Sequence, residues 1–396
     1  MSHKAIVSSE LIDTAEHHAQ IRAGVAKLVG GFGRKYFQDV VRRDAKPTEL
    51  WNALGAAGYL GVQVPEAYGG GGAGLAELNV IIEEVAAQGC PLLAMVINSI
   101  CVPILVKHGS AKLRQEWLPG LGAGTKRMSF AITEPDAGTN THRITTTARK
   151  TERGWSISGT KYYTSAVDEA HAILVVARVF KAGEEAGASA RQPLSLFVVP
   201  ADAKGITAHP IDCALHATEK QFTVFFDDVT IPHDAIIGDE GAGLRQVFAG
   251  LNPERVSAAA VNNGIARFAI DKAAQYASDR KVWSTPIGAH QGLAHPLAKA
   301  YVNVQLARMM TAKAAAVYDA GGDAGEAANM AKFAAADASL EALDQAIQTH
   351  GGNGLSNEYG LADLWFIARL HKTAPVSREM ILNYISQHSL GLPKSY

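Results

Sequence analysis

Cysteine is scarce in this chain of 396 residues, which contains only Cys90, Cys101 and Cys213. The three lie far apart, form no Cys-x-x-Cys pair and have no histidine at metal-ligand spacing. We therefore expect neither a disulfide framework nor a metal site. Proteins of reducing compartments use cysteine in this way, and we predict a cytoplasmic location.

Long apolar runs and an excess of charge of one sign are also lacking. Residues 91–106 form the most apolar stretch, but they include Asn98, Ser99 and Pro103 and are too few to cross a bilayer. The N-terminal residues show no apolar segment of the kind that export signals have. A formal net charge of -1 and a pI near 6.9 provide no global basic field, so neither nucleic acid nor a membrane is an expected partner.

Three consecutive patterns divide the chain, whose hydrophobic content of 47% describes a globular protein with more than one core. Residues 1–125 have apolar residues at helical spacing, residues 126–238 have short β-rich pieces between turns, and residues 239–396 are again helical. We predict an α+β multidomain fold with an all-α N-terminal domain, a small central β-barrel or sandwich and a helical C-terminal domain. In the last we expect one helix over residues 258–280 and a final helical stretch over residues 361–389.

The segment Phe130–Asn140, which reads FAITEPDAGTN, is the most informative stretch. A short apolar run leads into a cluster of turn-forming residues that offers backbone N–H and hydroxyl groups to a phosphate or a polar ring edge. An ordinary turn at a strand end has the same composition. The interpretation therefore depends on the rest of the chain.

Over essentially its whole length the sequence resembles the acyl-CoA dehydrogenase family. Seven segments carry the resemblance in order and with matching gaps: Pro65–Gly70, Phe130–Asn140, Gly159–Ser165, Phe225–Gly238, Leu251–Arg255, Tyr276–Gln291 and Gln348–Gly354. The resemblance implies the fold of that family, with a C-terminal four-helix bundle, and FAD as the cofactor. It also implies an acyl-CoA substrate, an electron-transfer flavoprotein as partner, and a homotetramer whose subunits share their flavin sites.

The resemblance assigns flavin contacts to three groups of residues. The first group lies on the loop and the strand before it, and its last two members would point toward the pyrophosphate or the pantetheine of the substrate: Phe130, Ile132, Thr133, Gly138 and Thr139. The second, Tyr163 and Ser165, would flank the ring, although a tyrosine pair on a strand is common. The third would reach the flavin of a neighbouring subunit or its adenine side: Arg280, Trp283, Gln291, Gln348 and Gly352. Ser377 aligns with a threonine of the family near the cofactor.

The catalytic base is the position that separates branches of the family. Most members carry a glutamate near the C-terminus, where this chain has Pro375, or Ala374 if the alignment slips by one residue, and neither side chain accepts a proton. A minority, including the isovaleryl- and long-chain-type enzymes, carries it in a Leu-x-x-Glu-Arg helix, which matches Leu251–Arg255 and assigns the role to Glu254. The competing interpretation is a helix start, with Asn252 as N-cap, Pro253 at the first position and Glu254 stabilised by the helix dipole.

The resemblance also assigns the substrate contacts. Asn252 and Thr139 would meet the pantetheine, and Arg255 would be a buried partner near the site. In most members the backbone N–H of the C-terminal glutamate holds the thioester oxygen, and a proline has no such N–H. Either Ala374 supplies the donor, another group replaces it, or turnover is slow, because an oxyanion donor is worth a few kcal/mol.

Three functions remain open at this point. The first is an FAD-dependent dehydrogenase that converts an acyl-CoA to a trans-2-enoyl-CoA and passes electrons to an electron-transfer flavoprotein. The second is an oxygen-reacting oxidase or monooxygenase of the same fold. The third is a non-catalytic subunit of a hetero-oligomer. A base at Glu254 favours the first, because it has little purpose without an α-proton to remove.

Overall fold

The computed structural model describes Ser9, Ile12, residues 15–180 and residues 192–394. Six helices come first: α1 (Glu16–Gly30), α2 (Gly33–Arg42), α3 (Thr48–Ala56), α4 (Leu75–Ala87), α5 (Leu93–His108) and α6 (Ala111–Ala123). The fifth is buried along almost its entire length, which explains the apolar run at residues 91–106. No described helix is both long enough and apolar enough to pass through a membrane.

Among the described residues, eight strands form the central sheet: β1 (Met128–Ala131), β2 (Thr147–Thr151), β3 (Gly154–Ser165), β4 (Ala172–Phe180), β5 (Leu194–Pro200), β6 (Ile206–Pro210), β7 (Gln221–Ile231) and β8 (Ile236–Ile237). The spatial order is β6-β7-β3-β2-β4-β5-β8, and β1 also pairs with β4. Every residue of β4 is buried. Its two faces enter different cores: Leu174 and Val176 pack with residues of α5 and α6, whereas Val175 and Ala177 pack with aromatic residues of β3, β5 and β7.

The C-terminal part consists of α7 (Gly243–Asp279), α8 (Gln291–Asp319), α9 (Gly325–His350), α10 (Trp365–Leu370) and α11 (Arg378–Tyr384). Residues 258–279 are helical as the sequence predicts, but the helix begins earlier, at Gly243. Pro253 therefore lies inside it, and the interpretation of Asn252 as the N-cap is wrong. The final helical stretch is not continuous, since a turn over residues 371–377 separates α10 from α11.

A buried ion cluster fastens the N-terminal helices to the C-terminal bundle. Glu83 and Glu84 of α4 accept hydrogen bonds from Arg22 of α1 and Arg267 of α7, and Arg308 of α8 also donates to Glu83. Burial disfavours the Glu83 carboxylate, but the three arginines outweigh it and hold its pKa far below the ordinary value. Such a paired cluster fixes the relative positions of α1, α4, α7 and α8.

Candidate active site

A proline inside α7 places the first element of the site. Pro253 has no N–H, so the carbonyl of Ala249, four residues earlier, loses its helical partner. The hydroxyl of Tyr318, at the end of α8, donates to that carbonyl at 2.8 Å. The helix continues through the proline, and Glu254 lies one residue further along it.

The Glu254 side chain lies in a partly buried position without a compensating partner. Among the described residues, no donor or cation lies within hydrogen-bond or salt-bridge distance of its carboxylate. Burial raises its pKa to about 7, and the charges of Arg255 and Lys332 only partly oppose that increase. A carboxylate with such a pKa is a stronger base than an exposed glutamate and exchanges its proton near neutral pH.

Three residues influence Glu254. Arg255 and Lys332 carry positive charge, and Asn252 orients Arg255. Arg255 is partly buried rather than fully buried, and its Nη1 donates to the Oδ1 of Asn252 at 2.8 Å. Lys332 of α9 is 1% exposed, and burial, aided by Arg255, lowers its pKa to about 8. Both cations therefore act on Glu254 through the electric field and not through a direct ion pair.

The turn over residues 371–377 lies against the same lysine. The Nζ of Lys332 donates to the carbonyl of Val376. The amide of Ala374 donates to the carbonyl of Leu370 at 2.9 Å, and Pro375 has no N–H. Ser377 is the N-cap of α11 and accepts from the amide of Met380. In the described part of the chain the amides of Val376 and Ser377 have no acceptor, so this turn retains two free donors.

An open cavity of about 350 Å³ adjoins this region. Lys107, His108 and Arg245 line it together with Asn252 and Tyr318. Burial and the charges of Lys107 and Arg245 lower the pKa of His108. The cavity rim thus carries the cations Lys107 and Arg245 beside one acid, Asp323, and Asn252, two residues before Glu254, also lines the cavity.

The loop after β1 is held by a buried glutamate that the sequence motifs did not single out. Both oxygens of Glu134 accept hydrogen bonds: Oε1 from Lys161 at 2.9 Å and from the amide and hydroxyl of Thr146, and Oε2 from both groups of Thr145. Burial would raise the pKa of Glu134, but Lys161 and these donors outweigh it and lower the pKa to about 2. The sequence signal was a lone acid at a strand end and a lone lysine inside a β-rich segment.

The ion pair of Glu134 and Lys161, called the clamp below, brings together two of the predicted groups of flavin residues. The Nζ of Lys161 also donates to the carbonyl of Ile132 at 3.0 Å, and the amide of Tyr162 donates to the carbonyl of Thr133 at 2.8 Å. Tyr163, with φ of 52°, is 53% exposed. Phe130, Ile132, Thr133 and Ser165 are partly buried, whereas Gly138 and Thr139 are exposed. Together, the side chains of Phe130, Ile132, Thr133, Tyr163 and Ser165 form a surface of apolar and hydroxyl groups, which is called the shelf below.

The third predicted group lies elsewhere, on the bundle. Arg280 follows α7, Trp283 is 82% exposed, Gln291 begins α8, and Gln348 and Gly352 are exposed at the end of α9. A second open cavity of about 380 Å³, lined by Arg280 and Tyr276 among others, adjoins this surface. These residues are therefore available to a second molecule.

Comparisons with known proteins agree with this architecture. The family models described as the N-terminal, middle and C-terminal domains of acyl-CoA dehydrogenase match residues 15–125, 129–229 and 241–390. The chain belongs to the acyl-CoA dehydrogenase family. The fold of the family, two helical parts around a β part, is thereby confirmed.

Relatives in the acyl-CoA dehydrogenase family are similar over the full length or most of it. "Acyl-CoA dehydrogenase FadE12" of Mycobacterium tuberculosis is 51% identical over 99% of this chain and 100% of its own. "Glutaryl-CoA dehydrogenase" of Desulfococcus multivorans is 31% identical over 88% of this chain and 89% of its own. Among solved structures, a glutaryl-coenzyme A dehydrogenase in complex with glutaryl-CoA has a TM-score of 0.90 at 27% identity, covering 96% of this chain and 97% of that one.

Sequence reasoning did not single out the side chains that support the site. Tyr318 and Lys332 belong to helices in which tyrosine and lysine are unremarkable, and nothing in their local sequence indicates a partner. A lysine on an alanine-rich helix face was the one available signal for Lys332.

Proposed function

We propose that this family member is an FAD-dependent acyl-CoA dehydrogenase of the branch whose base lies in the Leu-x-x-Glu-Arg helix. It would convert an acyl-CoA to a trans-2-enoyl-CoA and deliver electrons to an electron-transfer flavoprotein. One observation carries the proposal: Glu254 presents an unpaired, desolvated carboxylate, and Asn252, two residues earlier on the same helix, lines a cavity together with Lys107, His108 and Arg245.

The shelf beside the β1 loop suits a flavin. The hydroxyl of Thr164 is buried and has no partner among the described residues, as expected of a group that awaits a ligand atom. Nothing lies within 4 Å of a side chain added at Gly138, so the loop leaves room there. Ile132, Thr133, Tyr163 and Ser165 would hold the ring, which supplies the acceptor for the hydride that leaves the β-carbon. A solved structure described as an FAD-dependent dehydrogenase has a TM-score of 0.86 at 26% identity.

Glu254 would remove the α-proton and hold it as a carboxylic acid. Its raised pKa reduces the difference between its own pKa and that of the weakly acidic α-carbon. The partial burial excludes water that would compete for the proton. Arg255, held by Asn252, and Lys332 would stabilise negative charge that develops near the thioester. The rim residues Lys107 and Arg245 would attract the phosphates of coenzyme A.

The thioester oxygen needs a donor, and the turn offers one. Pro375 has none and Ala374 donates to Leu370, which argues against Ala374 as the substitute. We infer that the amide of Val376, one of the two free amides of the turn, takes the role. Lys332 supports it, because its bond to the carbonyl of the same residue restrains that residue in the turn.

We also infer a homotetramer with shared flavin sites. Exposed apolar side chains on α8, namely Val302, Leu306 and Met309, are 50–58% exposed, and Trp283 is more so. Contiguous apolar surface of this kind usually meets another protein. Arg280 and Gln348 would then reach the flavin of the partner subunit.

Anaerobic titration of the purified protein with a panel of acyl-CoAs tests the proposal. We expect at least one acyl-CoA to bleach the flavin absorbance and an electron-transfer flavoprotein to restore it. Rapid restoration by air alone would instead identify an oxidase or monooxygenase. Purification without bound FAD, and no bleaching after FAD is added, would support a non-catalytic subunit.

A further inference from the structure

Two consecutive histidines converge on one carboxylate oxygen, away from the proposed active site. The Nε2 atoms of His17 and His18, in the first turn of α1, lie 2.9 Å and 3.1 Å from Oε1 of Glu77, in the first turn of α4. Neighbouring helical residues point about 100° apart, so they do not normally face one target. Here the two rings approach edge to face, with centroids 4.3 Å apart.

The three atoms have the spacing of a metal-ligand set. One ligand atom from each residue lies within 4.8 Å of the others. A tetrahedral zinc ion bound about 2.0–2.1 Å from nitrogen and oxygen holds its ligand atoms about 3.3 Å apart. The two distances from histidine nitrogen to glutamate oxygen, 2.9 Å and 3.1 Å, therefore need to widen only slightly to admit an ion. Two imidazoles and a carboxylate favour zinc and its transition-metal neighbours over calcium or magnesium.

The surroundings keep the carboxylate charged and oriented. Burial opposes ionisation of Glu77, but hydrogen bonds with the two histidines and with backbone amides outweigh it and lower its pKa to about 2. Its second oxygen accepts from the amide of Gly74 at 2.9 Å, which fixes the side chain as an outer-shell contact would. Asp319 accepts from the next two amides of α4 and adds negative charge nearby. The His17 side chain is 56% exposed, so an ion has a path of entry.

We propose that His17, His18 and Glu77 form a binding site for a divalent cation of the zinc class, which ties α1 to α4. A water molecule would complete the coordination. The site is independent of the proposed dehydrogenation, since none of its residues contributes to that chemistry. Its role is to fasten the first helix.

Calorimetric titration of the tag-free, chelator-treated full chain with zinc chloride at pH 7.5 tests the site. We expect one ion per chain and a higher Tm in the presence of zinc. Replacing either histidine by alanine removes a ligand, so affinity should fall by more than the roughly 10- to 100-fold that loss of an outer-shell partner causes. Glu77→Gln keeps an oxygen for the amide of Gly74 and should weaken zinc binding without loss of the fold.

His209→Ala, which removes an exposed histidine of β6, is the matched control and should bind zinc as the wild type does. Cobalt provides a second readout, because the wild type should show visible d–d bands without a thiolate charge-transfer band. Unchanged zinc affinity and stoichiometry in the variant His17→Ala/His18→Ala, or no binding by the wild type, would overturn the proposal.

Discussion

Glu134 in the β part and Glu254 in the bundle are both desolvated, yet their pKa values move in opposite directions. Glu134 accepts bonds from five donors on three residues, and its pKa falls to about 2. Glu254 has no such donor among the described residues, and its pKa rises to about 7. The difference shows that partners, and not burial alone, decide whether a buried acid is a structural anchor or a base.

The structural anchor and the proposed base belong to different parts of the chain. Glu134 holds the loop that is proposed to carry the flavin, whereas Glu254 lies two residues after Asn252, which lines the cavity proposed for the substrate. A structural glutamate benefits from every donor that surrounds it. A glutamate that acts as a base is positioned by its helix, and its carboxylate has no hydrogen-bond donor, so that its lone pairs are available to the substrate.

The largest expected effect is on activity when the base is removed. Glu254→Gln has nearly the same shape but accepts no proton, so flavin reduction by acyl-CoA should slow by about 10³-fold, within the range known for general bases. Anaerobic stopped-flow absorbance measures it. Glu152→Gln, at an exposed turn of the β part, is the matched control and should retain the wild-type rate.

The reciprocal change at Glu134 should damage the fold. Glu134→Gln leaves the buried Lys161 ammonium unpaired, which destabilises a protein by about 3–5 kcal/mol. Thermal unfolding and the fraction of bound FAD report the loss. Adding Lys161→Met to the same chain should recover part of the stability. Equal stability of Glu134→Gln and wild type would show that the clamp is not an anchor.

The two acids should also respond oppositely to pH. The lowered pKa of Glu134 contributes stability that is complete above about pH 4.5 and is lost as pH falls toward 2. The raised pKa of Glu254 destabilises the fold as pH rises from about 4.5 through 7. Glu254→Gln should therefore be at least as stable as wild type at pH 8, by thermal unfolding. A lower Tm at that pH would mean that Glu254 has a native partner.

Lys332 sharpens the comparison, because it acts on Glu254 without touching it. Lys332→Met removes a cation that lowers the pKa of Glu254, so activity should appear at a higher pH. It should also raise KM, because the carbonyl of Val376 loses its hydrogen bond from the lysine. Lys332→Arg should restore the pH profile better than it restores KM. An unchanged pH profile in Lys332→Met would remove the lysine from the account.

The smallest effect is expected at Tyr318. Tyr318→Phe leaves the carbonyl of Ala249 without a donor, and the loss of one such bond costs about 1–3 kcal/mol. Urea unfolding should show it, with little change in flavin binding. No change in stability would mean that the carbonyl finds another donor.

The order of helices and strands and the position of Glu254 could be predicted from sequence because both depend on local patterns and a short motif. The start of α7 could not, since Pro253 indicates a helix start, whereas the hydrogen bond that satisfies the Ala249 carbonyl comes from Tyr318, 69 residues away in sequence. The Glu134–Lys161 clamp and the bond from Lys332 to Val376 likewise join distant residues. The spacing of residues along one sequence does not indicate which distant residues will pair in the fold.

The most direct test of Glu254 as the base is the rate of anaerobic flavin reduction by a saturating acyl-CoA between pH 5 and 9, in wild type and Glu254→Gln. The account predicts a wild-type rate that rises with pH around a midpoint near 7, because the base must lose its proton, and a slow, nearly flat profile in the variant. A variant that keeps the wild-type rate and the same rise with pH would contradict it.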